Sequence, residues 1–167
     1  VVAVASNEKV VLPRLRRSFS DRYPEVEVTQ VELDQAAIFE GLRAGQLDVA
    51  LAYEMDIPPD LHFLPLLSLP PHVVLPEDHA LAGRDSLTPA ELTALPMVLL
   101  DLPFSTDYFL SIFRRSGHRP RVVERTRDLG VMLSMVANGF GFSIANIRPA
   151  SMRAPDGQPL VFVPLTG

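Results

Sequence analysis

The sequence contains no cysteine, and this absence removes several classes of site at once. Without thiols the chain has no disulfide framework, no thiolate zinc site and no cysteine nucleophile. It also lacks any apolar run near the roughly 18 residues that a membrane span needs, so no membrane role is indicated. The apolar content of 47% and the charged content of 21% instead predict a globular chain with a core of its own.

Basic charge is scarce as well, with 15 Lys and Arg against 20 Asp and Glu. The formal net charge of −5 argues against DNA binding by this chain alone, because phosphate neutralisation needs a concentrated basic face. Arginines do cluster between residues 114 and 127, but Glu124 and Asp128 accompany them, so we interpret this stretch as a solvated face. The chain opens directly on strand-like sequence, and no secretory signal is visible.

One pattern that is present occurs twice: a hydrophobic strand runs into a Ser/Thr/Asn cluster, which opens an amphipathic helix. The first copy comprises residues 1–5, Ser6 and Asn7, and a helix over 8–22; the second comprises residues 97–100, Ser105 and Thr106, and a helix to about 116. A helix start presents unpaired N–H groups, and at the carboxyl end of a strand in an open α/β sheet it faces the ligand crevice. The repetition predicts a two-lobed clamp on a small molecule.

The first lobe is predicted to have the order β-α-β-α-β. Residues 25–32 alternate polar and apolar side chains, which is typical of a half-buried strand that pairs in parallel with the opening strand. A helix over 38–44, ended by Gly45, and a buried strand over 47–52 follow.

The second lobe repeats this order after the proline-rich residues 58–71. Thr88 to Glu91 form a predicted capping box, and Asn138-Gly139 end a helix that starts at Leu129. Strands are predicted over 97–100, 121–126, 142–146 and 160–163. We expect the last strand to return to the first lobe, so that lobe I comprises 1–70 plus 160–167, lobe II comprises 71–159, and two crossovers form a hinge.

Four ordered motifs carry a family resemblance that covers residues 1–167. They are the opening from Leu12-Pro13 through Phe19 to Tyr23-Pro24, the segment from Leu42 to Ala50 with its Gly45, Leu47 and Asp48, the turn 77–82 with Ala80 in place of the usual proline, and the Val136 to Phe142 element with its two glycines. In these motifs the chain resembles the effector-binding domain of LysR-type transcriptional regulators.

The resemblance implies an α/β, two-lobed type 2 periplasmic-binding-protein-like fold, in which each lobe is a mixed sheet flanked by helices and two crossover strands form the hinge. It further implies a cytoplasmic ligand sensor that binds a small-molecule effector between the lobes and acts as a homodimer or homotetramer. Contact with DNA would be made only through an N-terminal winged helix-turn-helix that this sequence does not contain, and the family's closing helix and strand would follow Gly167.

Ligand contacts are predicted at the loops that follow the strands, because the carboxyl ends of parallel strands meet at the crevice. Ser6, Asn7, Ser105 and Thr106 lead the set, and in the family these positions match pocket-lining sites; helix capping alone is the alternative interpretation. The complete predicted set is Ser6, Asn7, Asp34, Gln35, Tyr53, Asp101, Phe104, Ser105, Thr106 and Asn146. Its mixture of acidic and hydroxyl groups favours a small polar metabolite, such as an amino or hydroxy acid.

No catalytic residue, metal site or cofactor is predicted. The sequence from Gly141 to Ala145 resembles a G-x-S-x-G nucleophile elbow, but its last glycine is replaced and Ser143 lies within a predicted strand, so we interpret Ser143 as structural. The histidines lack a second metal ligand at i+4, and no phosphate-binding glycine loop is present. A periplasmic solute-binding protein remains the alternative function, since the same cleft serves both roles, and an enzyme built on this clamp ranks last.

Overall fold

The computed structural model describes residues 2–4, 12–103, 105–149 and 151–167, with only the backbone described for 2–4. The chain divides into two units, Val1–Leu67 and Ser68–Gly167, which we call unit 1 and unit 2. Within the described ranges, no helix combines the length and the apolar content that crossing a membrane requires.

Unit 1 has the predicted β-α-β-α-β order around a parallel sheet with strand order β2-β1-β3. Its elements are β1 (Val2–Val4), α1 (Leu12–Arg22), β2 (Gln30–Glu32), α2 (Gln35–Arg43) and β3 (Val49–Leu51). The strand predicted over 25–32 is shorter than expected because only three residues of β2 find partners on β1. Its remaining residues alternate in sequence but form no ladder.

Local sequence chemistry sets both ends of α2. The carboxylate of Asp34 accepts a hydrogen bond of 2.9 Å from the backbone nitrogen of Ala37, which is an N-cap. At the other end Gly45 takes a φ of +66°, a conformation that glycine adopts without steric cost. Within the described residues the core beside α2 is small: Ile38 and Leu47 are buried, and four partly buried residues pack against them.

Unit 2 contains longer strands and most of the buried apolar residues that the structure describes. Its elements are β4 (His72–Pro76), α3 (Pro89–Leu92), β5 (Pro96–Leu100), α4 (Ser105–Arg115), β6 (Arg121–Thr126), α5 (Leu129–Ala137), β7 (Ser143–Ala145) and β8 (Leu160–Pro164). Strand β4 lies antiparallel between β7 and β8, and β5 pairs in parallel with β6. Unit 2 therefore contains both antiparallel and parallel strand pairs, as the mixed sheet implied by the resemblance requires. The described sheet of unit 1 is parallel throughout.

A close backbone approach joins the two ladders of unit 2. The nitrogen of Val98 donates to the oxygen of Phe142 at 2.8 Å, and the nitrogen of Phe142 donates to the oxygen of Pro96 at 2.9 Å. Gly141 makes this approach possible: its φ is +150°, and a Cβ there would lie 2.3 Å from the Pro96 oxygen. A glycine at this position therefore connects β5 to the start of β7.

The sheet of unit 2 separates two hydrophobic clusters. Successive residues of β5 face opposite sides, as the strand period of two requires. Met97 and Leu99 pack in the cluster that contains Phe113 of α4, while Val98 and Leu100 pack in the cluster that contains Met132 of α5. Each helix is thus held against its own face of the sheet.

The pairing of β5 with β6 contains an irregularity. Met97 pairs with Val122, but Val98 pairs with Glu124, so Val123 is left over in a β-bulge. After the bulge Leu99 pairs with Arg125 and Leu100 with Thr126.

The structure corrects the predicted course of the last strand. We expected residues 160–167 to return to lobe I, but β8 pairs with β4 over five residue pairs and belongs to unit 2. Local hydrophobicity marks Leu160 to Val163 as a strand without identifying its partner, which lies more than 80 residues earlier. Within the described residues, the chain passes from unit 1 to unit 2 at residues 67 and 68.

Candidate functional site

The carboxyl ends of three strands meet at one edge of unit 2. Strand β6 runs parallel to β5, and the bridge between Met97 and Phe142 is also parallel. The residues that follow β5 and β7, Asp101 and Asn146, therefore lie at the edge where a ligand crevice is expected in an α/β sheet. Helix α4 begins at the same edge with Ser105.

Asp101 is the centre of a polar network at this edge. Its Oδ1 accepts a hydrogen bond of 2.9 Å from the hydroxyl of Thr106, and its Oδ2 lies 3.4 Å from Nη1 of Arg125. The side chains of Asp101 and Arg125 are 37% and 52% exposed, so solvent screens their attraction. Both carboxylate oxygens nevertheless have partners, and the cation offsets the negative charge that would repel an anionic ligand.

The first residues of α4 are tied to the loop that precedes them. The backbone nitrogen of Ser105 donates to the oxygen of Pro103 at 2.8 Å, and that of Thr106 donates to the oxygen of Leu102 at 3.1 Å. The N–H groups of these two residues, which the sequence suggested as free anion donors, are therefore engaged. Because the hydroxyl of Thr106 already donates to Asp101, what these two residues offer a ligand is the hydroxyl of Ser105 and the dipole of the helix.

Asn146 connects this edge to a distant part of unit 2. Its Nδ2 donates to the oxygen of Leu69 at 2.6 Å and lies 3.4 Å from the hydroxyl of Tyr108 on α4. Tyr108 is not in the predicted set, although its position three residues after Ser105 places it on the same helix turn. Arg125 is also absent from that set, because the arginine-rich stretch was interpreted as a solvated face.

In unit 1 the structure brings three predicted residues to the loops beside α2. Asp34 caps the helix, and the buried side chain of Gln35 donates a hydrogen bond to the oxygen of Met55. The backbone nitrogen of Met55 in turn donates to the oxygen of Tyr53 at 2.8 Å. Gln35 therefore supports the loop that carries Tyr53.

The far end of α2 holds the same loop. Arg43 and Asp60 form a two-pronged ion pair, with Nε to Oδ2 at 2.6 Å and Nη2 to Oδ1 at 2.7 Å. Hydrogen bonding from Arg43 lowers the pKa of Asp60 to about 2. Both side chains are about half exposed, at 49% and 52%, so the pair fixes the loop while contributing little net stability.

Three predicted contacts, Ser6, Asn7 and Phe104, lie outside the described residues. The predicted set is thus described as two groups: Asp34, Gln35 and Tyr53 belong to unit 1, and Asp101, Ser105, Thr106 and Asn146 belong to unit 2.

Ser143 lies in β7 instead of at a strand-to-helix turn, and its side chain is fully buried. Its hydroxyl has no hydrogen-bond partner among the described residues, so no base within that part of the chain is placed to activate it. The described residues also contain no cluster of three or more His, Asp or Glu side chains suited to a metal ion. His79 instead accepts a hydrogen bond from the nitrogen of Leu81 within its turn.

Comparison with known proteins gives a consistent result. The family model described as the LysR substrate binding domain matches residues 1–167. The Hca operon transcriptional activator HcaR of Escherichia coli K12 is 29% identical over 167 residues, which cover 98% of this chain and 55% of HcaR. The HTH-type regulator SsuR of Burkholderia cenocepacia is 27% identical, covering 86% of this chain and 47% of SsuR.

Solved structures agree with this match. A Pseudomonas aeruginosa structure named PA01 protein, a LysR family regulator by its description, superposes with a TM-score of 0.93 at 32% identity, covering 100% of this chain and 62% of that one. The BenM effector-binding domain with its effector benzoate has a TM-score of 0.79 at 19% identity, covering 99% and 76%, and supports the fold alone. The type 2 periplasmic-binding-protein-like fold predicted from the motifs is thereby confirmed. The chain spans about half the length of the curated relatives it matches.

Proposed function

We infer that this chain, which belongs to the LysR substrate-binding domain family, senses a small metabolite on behalf of a LysR-type transcriptional regulator. The observation that carries the proposal is the family match over residues 1–167 together with the polar network at the carboxyl edge of unit 2. Binding there would shift the equilibrium between conformations only if the metabolite has different affinities for them.

The partners belong to the proposal as well. HcaR is named a transcriptional activator, and the chain corresponds to 55% of its length. We propose that DNA is contacted by a winged helix-turn-helix outside this sequence, since the net charge of −5 offers no broad basic face. The regulator would act in the cytoplasm as a homodimer or homotetramer.

The ligand class follows from which groups of the site remain to bind it. Both carboxylate oxygens of Asp101 already have partners, so Asp101 is not proposed as an anchor for a ligand amine. The hydroxyl of Ser105 can bind a hydroxyl or carboxylate oxygen, and the amide oxygen of Asn146 can accept from a ligand hydroxyl or ammonium group, while Arg125 offsets the negative charge nearby. A small hydroxy or amino acid fits this chemistry.

A regulatory role is favoured over the other two functions that the fold allows. The relatives reported above are transcriptional regulators, neither transport receptors nor enzymes. The buried Ser143 without a hydrogen-bonded base adds no support for catalysis. We therefore propose that the chain is not an enzyme.

Replacement of one hydroxyl at the start of α4 tests the proposed site. A panel of benzoate, hydroxy acids and amino acids is screened by thermal shift, and every compound that stabilises the protein is titrated by calorimetry. Ser105→Ala should weaken binding about tenfold, the loss expected when a hydrogen bond to a charged ligand is removed, without changing the unfolding midpoint.

Ser116→Ala is the matched control. Ser116 lies just beyond the other end of α4, where its hydroxyl donates to the oxygens of Ile112 and Phe113. Equal affinities of Ser105→Ala and the unaltered chain would contradict the site. If none of the compounds that bind the chain changes the DNA affinity of the full-length protein, the regulatory function is contradicted.

A further inference from the structure

Three parts of unit 2 that are far apart in sequence meet at the side chain of Asn146. Its Nδ2 lies 2.6 Å from the oxygen of Leu69 and 3.4 Å from the hydroxyl of Tyr108. A backbone carbonyl can only accept, so the amide nitrogen and not the amide oxygen must face Leu69. The orientation of the side chain is therefore fixed by its partner.

Leu69 is the first of three consecutive residues whose carbonyl groups are held by unit 2. The next carbonyl, of Pro70, lies 2.9 Å from Nδ1 of His72, and the oxygen of Pro71 accepts from the nitrogen of Leu165 at 3.0 Å. The leucines just before this point, Leu64, Leu66 and Leu67, are 66%, 69% and 66% exposed. The side chains are exposed up to Leu67, and the carbonyl groups are hydrogen-bonded from Leu69 onward. This change coincides with the passage of the chain from unit 1 into unit 2.

We propose that Asn146 is a positioning residue that fixes the entry of the chain into unit 2 at Leu69 and couples this point to α4 through Tyr108. The Nδ2 group carries two hydrogens, which serve the two neighbours. Because Leu69 adjoins the passage between the units, its hydrogen bond fixes the chain at the point where it enters unit 2.

The regulatory consequence rests on the proposed function. Helix α4 begins at Ser105 and Thr106, so a ligand bound there changes the contact of Tyr108 with Asn146 Nδ2. A ligand that hydrogen-bonds to the Asn146 amide changes the same contact directly. An amide that turns toward a ligand releases Leu69, which gives two discrete arrangements that a ligand can distinguish. Tyr108 is the contact through which movement of the helix reaches Asn146.

The anchor is tested without any ligand, by ¹⁵N relaxation of the backbone amides in the 167-residue chain. The order parameter of the Leu69 amide should be about 0.85 in the unaltered protein and should fall below about 0.6 in Asn146→Asp, which keeps the shape but removes the donor. Asn138→Ala is the control, because Asn138 Nδ2 also donates within unit 2, to Ser134 O at 2.8 Å and to Asp156 Oδ2 at 2.7 Å, and neither bond involves Leu69. It should leave Leu69 unchanged.

Two further variants keep the result decisive. Asn146→Ala removes the donor without adding charge and should mobilise Leu69 in the same way, even if the aspartate variant fails to fold. Tyr108→Phe should shift the side-chain amide resonances of Asn146, because the hydroxyl 3.4 Å away is lost. An ordered Leu69 in a folded Asn146→Ala protein overturns the anchor, and unshifted Asn146 resonances overturn the coupling. Since neither measurement uses a ligand or DNA, failure of the proposed function would leave both results standing.

Discussion

Units 1 and 2 are built from the same sequence of strand, polar cluster and helix, yet they bury their apolar residues very differently. Among the described residues, the apolar side chains buried in unit 1 are Leu12, Ile38 and Leu47, whereas unit 2 buries two large clusters on opposite faces of its sheet. The described strands of unit 1 have three residues each, and those of unit 2 have up to six. Similar sequence patterns therefore accompany different degrees of burial in the two units.

Helices α1 and α4 show this difference directly. Both are amphipathic and have 11 residues, but Leu15 and Phe19 of α1 are 48% and 41% exposed, while Phe113 of α4 is fully buried. Since local stability tracks buried apolar contacts, unit 2 should unfold at higher denaturant concentration than unit 1.

The largest expected effect comes from truncating one phenylalanine in each of these helices. Phe113→Ala should lower the free energy of unfolding of unit 2 by about 3–5 kcal/mol, because it opens a cavity in a closed core. Phe19→Ala in unit 1 should cost less than about 1 kcal/mol. Urea unfolding followed by circular dichroism measures both, and equal losses would break the comparison between the units.

A smaller effect is expected at the glycine that joins the ladders of unit 2. Gly141→Ala should destabilise unit 2 by about 2–3 kcal/mol, because its Cβ would lie 2.3 Å from the Pro96 oxygen at a φ of +150°. Gly83→Ala is the matched control in the same unit, since a Cβ there meets nothing within 4 Å. Differential scanning calorimetry of both variants gives the result; an unchanged midpoint for Gly141→Ala would mean that β5 and β7 are less closely joined than described.

Removing one buried polar group from each unit should change the free energy of unfolding by about 1 kcal/mol, with opposite signs in the two units. Gln35→Met in unit 1 should destabilise by about 1 kcal/mol, because the Met55 oxygen loses its donor. Ser143→Ala in unit 2 should be neutral or stabilising by up to about 1 kcal/mol, because its buried hydroxyl has no partner among the described residues. Denaturant titration of both variants tests the signs, and a destabilising Ser143→Ala would reveal a partner for the hydroxyl.

The smallest expected effect concerns pH and unit 1. The pKa of Asp60 is lowered to about 2 by Arg43, so the folded state binds this proton more weakly than the unfolded chain, where the value is about 3.9. The stabilisation is therefore present above about pH 4 and is lost as the pH falls through about 2. The stability difference between the unaltered protein and Asp60→Asn should shrink over this window, and a difference that is constant down to pH 2 would contradict the ion pair.

Much of the local structure could be predicted from the sequence, because capping and turn chemistry act over a few residues. Glu91 accepts from both the nitrogen and the hydroxyl of Thr88 at 2.9 Å, so the glutamate of the predicted capping box reaches back to the N-cap residue. The strand over 121–126 has the predicted bounds, and the helix from Leu129 ends as predicted, with Gly139 at a φ of +81°. The partner of β8 could not be predicted, since the choice between two sheets depends on contacts made across the whole unit.

For the candidate site, too, local positions could be predicted from the sequence and long-range partners could not. Position after a strand correctly placed Asp101 and Asn146 at the carboxyl edge of unit 2, but their partners, Arg125 and Leu69, are 24 and 77 residues away in the chain. Nothing in the local pattern distinguishes Arg125 from the other arginines between 114 and 127. The ligand contacts themselves stay predictions.

Val123, the residue of β6 that has no partner on β5, decides which charged side chain neighbours Asp101. In an uninterrupted ladder Val98 would pair with Val123, and Leu99 with Glu124, whose carboxylate would then share the face of Asp101 and repel it. Because Val123 is skipped, every later side chain of β6 exchanges sides, and Arg125 occupies that place instead. The sign of the charge beside Asp101 is thus set by the parity of a strand, through one valine that has no partner in the ladder.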